Sequence, residues 1–352
     1  MTPNAGDPSR PQPIRRLADV TFPARDRAMA RVAADLSEPE SGPPADNLLS
    51  NEDSTFRVAD RVAALAPPGG VYLGVGPDQN FSLIAPGRPD LAFVVDFRRR
   101  NALLHLAHKA LMLRAPTRVD YLARLLARTP GPLPPDPTAA DLVAAFDRRP
   151  LDRARLDAEV AAAAEILRPL DLVRPDEWPA LAALQRKLAG PGLDGRFLAL
   201  PMYPTFGRQL AARDRAGQPG HFLARESSYQ LGRDLPRGDR LIPLVGDFAA
   251  DADGCLPRLA AWLRARRLAV ATFYLADVEF FLARAGRYPA FAAHLHRLPW
   301  LPGAILIRTS TREIPHPDRL PGASSTTIVR PAAAWLDRLA THPAPTLDDL
   351  FR

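Results

Sequence analysis

VYLGVGPDQNF, residues 71–81, is the stretch that decides the fold. Val71–Gly76 is a short apolar run punctuated by two glycines, the mark of a strand buried on both faces. Gly74 and Gly76 then let the backbone turn tightly and approach a neighbour closely. Pro77 suits the first turn of a helix, because its ring presets φ and its missing N–H needs no partner there. A helix is therefore expected from Asp78 through Ile84. Working outward, the same alternation returns. Leu91–Asp96 (LAFVVD) reads as a second buried strand, with a helix over Arg99–Leu113 behind it. Upstream, Thr55–Leu65 has helical spacing and is stopped by Pro67-Pro68-Gly69-Gly70. Downstream, Leu241–Asp247 (LIPLVGD), Val270–Leu275 (VATFYL), Ala304–Ile307 and Thr326–Val329 read as further strands. Leu256, Leu259, Ala260 and Leu263 mark one helical face between two of them, and Trp335, Leu336 and Leu339 mark a last helix opened by Pro331. Apolar strands alternating with helices predict an α/β protein with a mainly parallel sheet covered on both faces.

The chain has 352 residues, of ordinary globular composition at 47% apolar and 24% charged. No apolar run approaches a membrane span, and the N-terminus lacks the apolar core of a secretory signal. A single cysteine, Cys255, excludes an internal disulfide framework and a multi-cysteine zinc site. A soluble cytoplasmic protein is expected. The net charge is +7, and Lys109 and Lys187 are the only lysines among 46 basic residues. The arginines are spread along the chain and interleaved with acids, so nucleic acid is a possible partner but not the favoured one. Residues 1–46 are rich in Pro, Gly, Ser and acids and read as a disordered Pro-rich arm with room for a short helix near Arg25–Leu36. Residues 47–352 are expected to form the folded domain. Between the second and third strands, about residues 114–235, several helical stretches are separated by proline-rich breaks, so a helical insertion is expected there.

Ligands of parallel sheets sit at the carboxyl ends of the strands, where the strand order reverses. Three strand ends carry chemistry. The first ends in Gly74-Val75-Gly76-Pro77-Asp78-Gln79-Asn80. The second ends in Asp96, 20 positions after Gly76, where an acid accepts hydrogen bonds from an adenosine ribose. The third ends in Gly246-Asp247, where a carboxylate can accept from an adenine amino group. Gln79 stands where a dinucleotide fingerprint needs its third glycine. Asp78, in the first helical turn, repels the pyrophosphate that a helix N-terminus would otherwise attract. Both features oppose NAD or FAD. Both suit S-adenosylmethionine, which has no phosphate and carries a sulfonium and an ammonium.

The ordered set Gly74/Gly76, Asp96 and Asp247 resembles motifs I, II and III of the class I S-adenosylmethionine-dependent methyltransferases. The segments Ser50-Asn51-Glu52, GVGPDQNF (74–81), VVDFRRRN (94–101), LVGDFA (244–249) and FYLADVEFF (273–281) together resemble an uncharacterised bacterial family with a methyltransferase-like fold. The resemblance implies a Rossmann-like, doubly wound sheet of the class I methyltransferase type with a helical insertion. It implies S-adenosylmethionine as cofactor, held by Gly74, Gly76, Pro77, Asp78, Asn80, Asp96 and Asp247, and methyl transfer to an unidentified, small-molecule acceptor. The fourth strand of such a fold ends near the acceptor, which makes Tyr274, Asp277 and Glu279 the candidate catalytic groups. The Asn/Asp-Pro-Pro-Tyr of base-methylating enzymes is absent there.

Asn51 and Glu52 are candidate acceptor-binding residues, because the element before the first strand folds over the cofactor in many methyltransferases. The alternative is that Ser50 or Asn51 caps the first helix. Glu226 and Tyr229, just before the third strand, invite the same two readings. His105 and His108 are three apart on one helix but have no set of acids or cysteines to complete a metal site, so no metal is expected. The rival to an enzyme is a non-catalytic scaffold or binding module that works through its helical insertion.

Overall fold

The computed structural model describes residues 28–42, 46–311 and 314–351. Helices α1 (Ala28–Leu36) and α2 (Ala59–Leu65) precede strand β1 (Val71–Gly74), α3 (Gln79–Gly87), β2 (Leu91–Asp96) and α4 (Arg99–Arg114). The helical block follows as α5 (Arg118–Leu125), α6 (Ala139–Phe146), α7 (Arg153–Leu167), α8 (Trp178–Ala189), α9 (Phe206–Leu210) and α10 (Glu226–Arg237). The chain then runs through β3 (Leu241–Val245), α11 (Cys255–Ala265), β4 (Val270–Ala276), α12 (Val278–Arg284), α13 (Tyr288–Arg297), β5 (Trp300–Ser310), β6 (Thr326–Pro331) and α14 (Ala332–Thr341).

The six strands form one sheet in the order β3-β2-β1-β4-β5-β6. All neighbours are parallel except β5 and β6, which are antiparallel. Every residue of β1, β2, β3 and β4 is buried, which is why those strands read as continuous apolar runs and not as alternating ones. Helices surround the sheet in two packed rows: α2, α3, α10 and α4 in one, α1, α11, α13 and α14 in the other. The strand order reverses between β1 and β4, so a crevice is expected where the glycine turn after β1 meets the end of β4.

Two local expectations change. Of the expected arm, residues 1–27 and 43–45 lie outside the described residues. The rest is not loose: α1 buries Met29, Ala33 and Leu36, spaced at i, i+4 and i+7, against β3 and α11. The chain after it, residues 37–42, lies across the ends of β2 and β3, where Glu38 N donates to Val245 O at 2.8 Å and Ser41 N to Phe97 O at 3.3 Å. The helix expected over Thr55–Leu65 is a 3-10 turn at Thr55–Arg57, then α2, with the break at Val58 (φ −116°, ψ 13°). Ser50 and Asn51 cap neither piece. The Ser50 hydroxyl accepts from Glu52 N at 3.0 Å, a local turn, and the Asn51 side chain reaches elsewhere.

Among the described residues no helix is long and apolar enough to cross a membrane.

Candidate functional site

The glycine turn is built by its own neighbours. Gly76 has φ +79°, a left-handed conformation that favours glycine. Asn80, in the first turn of α3, donates to Val75 O, Gly76 O and Pro77 O at 3.0, 3.1 and 2.7 Å. Its Oδ1 accepts from Tyr72 Oη at 2.9 Å. Oδ1 lies 2.0 Å from the position a Cβ on Gly74 would take, so Gly74 is required by this packing. Asn80 therefore holds the turn with its polar atoms committed to the chain. His105 Nε2, on α4, contacts Gly76 O at 2.9 Å from the other side.

Asp96 is buried at the end of β2. Burial raises its pKa, opposed by Arg98 and by the backbone N–H groups of Arg98 and Gly76. It accepts from Arg98 N at 3.0 Å, so the second strand end is tied to the glycine turn. Asp78 is almost wholly buried, its Oδ1 has no partner within the protein, and burial pushes its carboxyl up to about 7. The neighbouring Gln79 donates to Tyr274 Oη at 3.3 Å, while its own Oε1 is unpartnered. Asn101, one helical turn before His105, is 3% exposed with neither amide atom paired.

The densest constellation lies where β1 and β4 end. Tyr72 and Thr272 are register partners, and Tyr274 follows Thr272 by two, so all three project from one face of the sheet. Glu52 is fully buried over that face. Its Oε2 accepts from Tyr274 Oη at 2.8 Å and from the Thr55 hydroxyl, while Oε1 has no partner. Burial, and then the nearby charge of Asp277, push its carboxyl up to about 7 against the hydrogen bonds it receives. Asp277 accepts from Asn51 Nδ2 at 3.1 Å, and burial raises its pKa as well. The residue before it, Ala276, has φ +48°, strain that costs an alanine about 1–2 kcal/mol and is typical of functional sites. Asn51 and Glu52 thus meet Tyr274 and Asp277, more than two hundred residues further along the chain, beside the reversal of strand order. A buried carboxyl poised near neutrality in such a place can take or give a proton.

The remaining candidates lie elsewhere. Asp247 pairs with Arg287 at 2.8 Å and accepts from Ala249 N at 2.9 Å. Glu226 receives Arg118 N at 3.1 Å, and Tyr229 Oη donates to Ala115 O at 2.7 Å, so both fasten α10 to the start of the helical block. Glu279 is buried on the α13–α14 side, where it pairs with Arg308 at 2.5 Å and receives Tyr288 Oη. Among the described residues no three His, Cys, Asp or Glu side chains are placed to hold a metal ion. Thr55, Gln79 and His105 belong to the site without any mark of it in the sequence. In the sequence Gln79 stands out only as an obstacle to a dinucleotide, because its partner Tyr274 lies 195 positions away.

The chain belongs to the DUF7790 family, described as a domain of unknown function, whose pattern matches residues 48–129 and 201–350. The matched residues include the glycine turn, Glu52, Tyr274 and Asp277. The unmatched stretch, 130–200, holds α6, α7 and α8 and falls inside the block expected as an insertion. No curated protein matches the chain.

Proposed function

We propose that this protein binds S-adenosylmethionine at the glycine turn, within a Rossmann-like sheet of the class I methyltransferase type, and transfers its methyl to a small-molecule acceptor. The observation that carries this reading is Glu52: a fully buried carboxyl raised to about 7, with one oxygen unpartnered, at the reversal of strand order. The unpartnered oxygens of Asp78 and Gln79 at the turn are acceptors without donors, which fits a cationic amine and opposes a phosphate. When bound, S-adenosylmethionine supplies an activated methyl on a good leaving group. The chain supplies the rest. Tyr274 and Thr55 fix one oxygen of Glu52 and leave the other for the acceptor's O–H or N–H proton. Asn51 fixes Asp277, whose negative charge keeps Glu52 basic enough to take that proton. Burial excludes water from the reacting groups.

A second reading, a non-catalytic binding module working through its helical block, is favoured by a different observation. Asn80 and Asp247 spend their polar atoms on the chain itself, and residues 37–42 lie across the β2 and β3 ends where a nucleoside would extend. Calorimetric titration with S-adenosylmethionine separates the two. Methyl transfer requires saturable binding, stronger as pH rises through about 7, because the cation favours the ionised forms of Glu52 and Asp78. Absence of binding at millimolar ligand would leave the module reading in place.

A further inference from the structure

Glu52 is 0% exposed, so any proton it takes must leave through the protein. The route by way of Tyr274 leads nowhere new, because beyond Thr55 the phenol meets the Gln79 amide N–H, a donor that cannot accept its proton. The other side of Glu52 is different. Thr55 donates to it, and the nearby Thr309 hydroxyl also holds its pKa down. Both threonines lead to one residue. Thr327 Oγ1 lies 3.4 Å from Thr55 Oγ1 and 3.0 Å from Thr309 Oγ1. Thr327 Oγ1 is in turn 2.7 Å from Ser54 Oγ, which is 2.6 Å from Ser325 Oγ. Ser325 donates to Asp53 at 3.2 Å. Ser54 and Thr327 border a surface cleft walled by Arg57, Arg61, Arg215 and Asp318. A hydroxyl both donates and accepts, and in each of the links through Thr327 and Ser54 either oxygen could be the donor.

We propose that Thr327 is the node of a proton relay that joins Glu52, through Thr55, to Ser54 and the arginine-walled cleft. The inference rests on Glu52 acting as the proton acceptor proposed above. On release, the Glu52 carboxylic acid gives its proton to Thr55. That hydroxyl passes its own proton to Thr327, Thr327 passes one to Ser54, and Ser54 delivers one to water in the cleft or, through Ser325, to the Asp53 carboxylate. One proton leaves, Glu52 is left ionised, and every hydroxyl is restored. The charged groups at the exit are Asp53 with Arg57 at 4.0 Å, and Asp318 with Arg61, Arg215 and Arg330 at 3.4, 3.6 and 3.0 Å and with His316 at 3.9 Å. Those facing Glu52 are Asp277, Tyr72 and Tyr274. The threonines and serines are positioning residues that act through Glu52.

The test is a pH jump across neutrality on the full chain, followed by the infrared band of the Glu52 carboxyl, which is assigned by its loss in Glu52→Gln. Thr327→Val keeps the shape and deletes the hydroxyl, and it slows the change in protonation by roughly tenfold or more, on the scale of proton-transfer effects. Thr327→Ser restores the rate, which a purely structural role would not predict. Where Thr327→Val fails to fold, Ser54→Ala interrupts the next hydroxyl and reads out the same rate. A Thr327→Val protein that relaxes as fast as the wild type overturns the relay, as does a Glu52 band that never changes. Failure to bind S-adenosylmethionine is a separate result, since the relaxation is measured without it.

Discussion

Tyr274 donates its phenolic hydroxyl to Glu52 Oε2 at 2.8 Å, joining residues 222 positions apart in a site that excludes solvent. This bond, the one from Thr55 and the nearby Thr309 hydroxyl hold the Glu52 carboxyl down against burial and Asp277. A hydrogen bond to an ionised group is worth about 1.5–3 kcal/mol, or roughly one to two pKa units. Tyr274→Phe should therefore raise the Glu52 pKa by about that amount, well above neutrality. Carbon-13 NMR of labelled glutamate carboxyls follows it directly. An unchanged midpoint in Tyr274→Phe would show that the phenol does not control this acid.

Glu52 and Asp78 also weigh on stability. Each is raised to about 7 in the fold, from ordinary values of 4.5 and 3.8. Between those limits the folded state holds more protons than the unfolded chain. Stability is then greatest below the unfolded pKa and is lost as pH rises through the folded one. The loss is about 3–4 kcal/mol per carboxyl once both are ionised. Glu52→Gln and Asp78→Asn should each raise the thermal midpoint at about pH 8 and leave it nearly unchanged at about pH 4. A variant that melts lower than the wild type at the higher pH contradicts this, and would mean that the ionised carboxylate is stabilised by something other than the groups named.

Much of the frame was legible from the sequence. Strands buried on both faces leave uninterrupted apolar runs, so β1 to β4 and the glycine turn stand out in the chain itself. Asn51, Glu52, Tyr274 and Asp277 were legible as candidates, but their meeting was not, because each hydrogen bond spans more than two hundred positions. Glu279 stands two positions after Asp277 in the sequence, and the two read there as one pair of acids. A helix turns about 100° per residue, so two positions are enough to aim the two carboxyls at different neighbours. Asp277 receives Asn51, and Glu279 meets Arg308 on β5. The packing of α1 was hidden because its flanks have the composition of a disordered arm. Thr309 and Thr327 were invisible as a pair, since only the antiparallel register of β5 and β6 sets them side by side.

Three buried histidines set the acid limit of the fold. Burial lowers His105 to about 4 and His108 and His221 to about 3, with the neighbouring His105 also lowering His108. They stay neutral in the fold while the unfolded chain protonates below about 6.5. The stability they provide is complete above that value and is lost as pH falls toward the folded pKa values, by up to about 1.4 kcal/mol per pH unit for each histidine. His221 stacks on Phe222 and Phe56 with ring centroids 4.9 and 5.1 Å away, so His221→Phe keeps the ring packing. Urea midpoints taken from neutral to mildly acidic pH should fall less steeply in His221→Phe, by about one proton's worth of slope. Equal slopes in the two proteins would place the acid sensitivity elsewhere.

The Glu279–Arg308 pair separates a structural from a chemical role for the second acid after β4. The two side chains are 1% and 5% exposed and 2.5 Å apart. Arg308 lies 3.7 Å from the Trp335 ring centroid, and Trp335 Nε1 donates at 3.2 Å to the Tyr288 hydroxyl that itself donates to Glu279. Every atom of the Glu279 carboxylate is thereby engaged by β5 and α13. Removing one partner of a buried ion pair leaves the other charge uncompensated and costs about 3–5 kcal/mol. Glu279→Ala should lose that much stability, and Glu279→Gln less, because the amide keeps a hydrogen bond but not the charge. The double change Glu279→Ala with Arg308→Met should recover part of the loss, since no unpaired charge remains. Denaturant unfolding of the three proteins measures this directly. A Glu279→Ala chain as stable as the wild type would return Glu279 to the list of groups free to take part in chemistry.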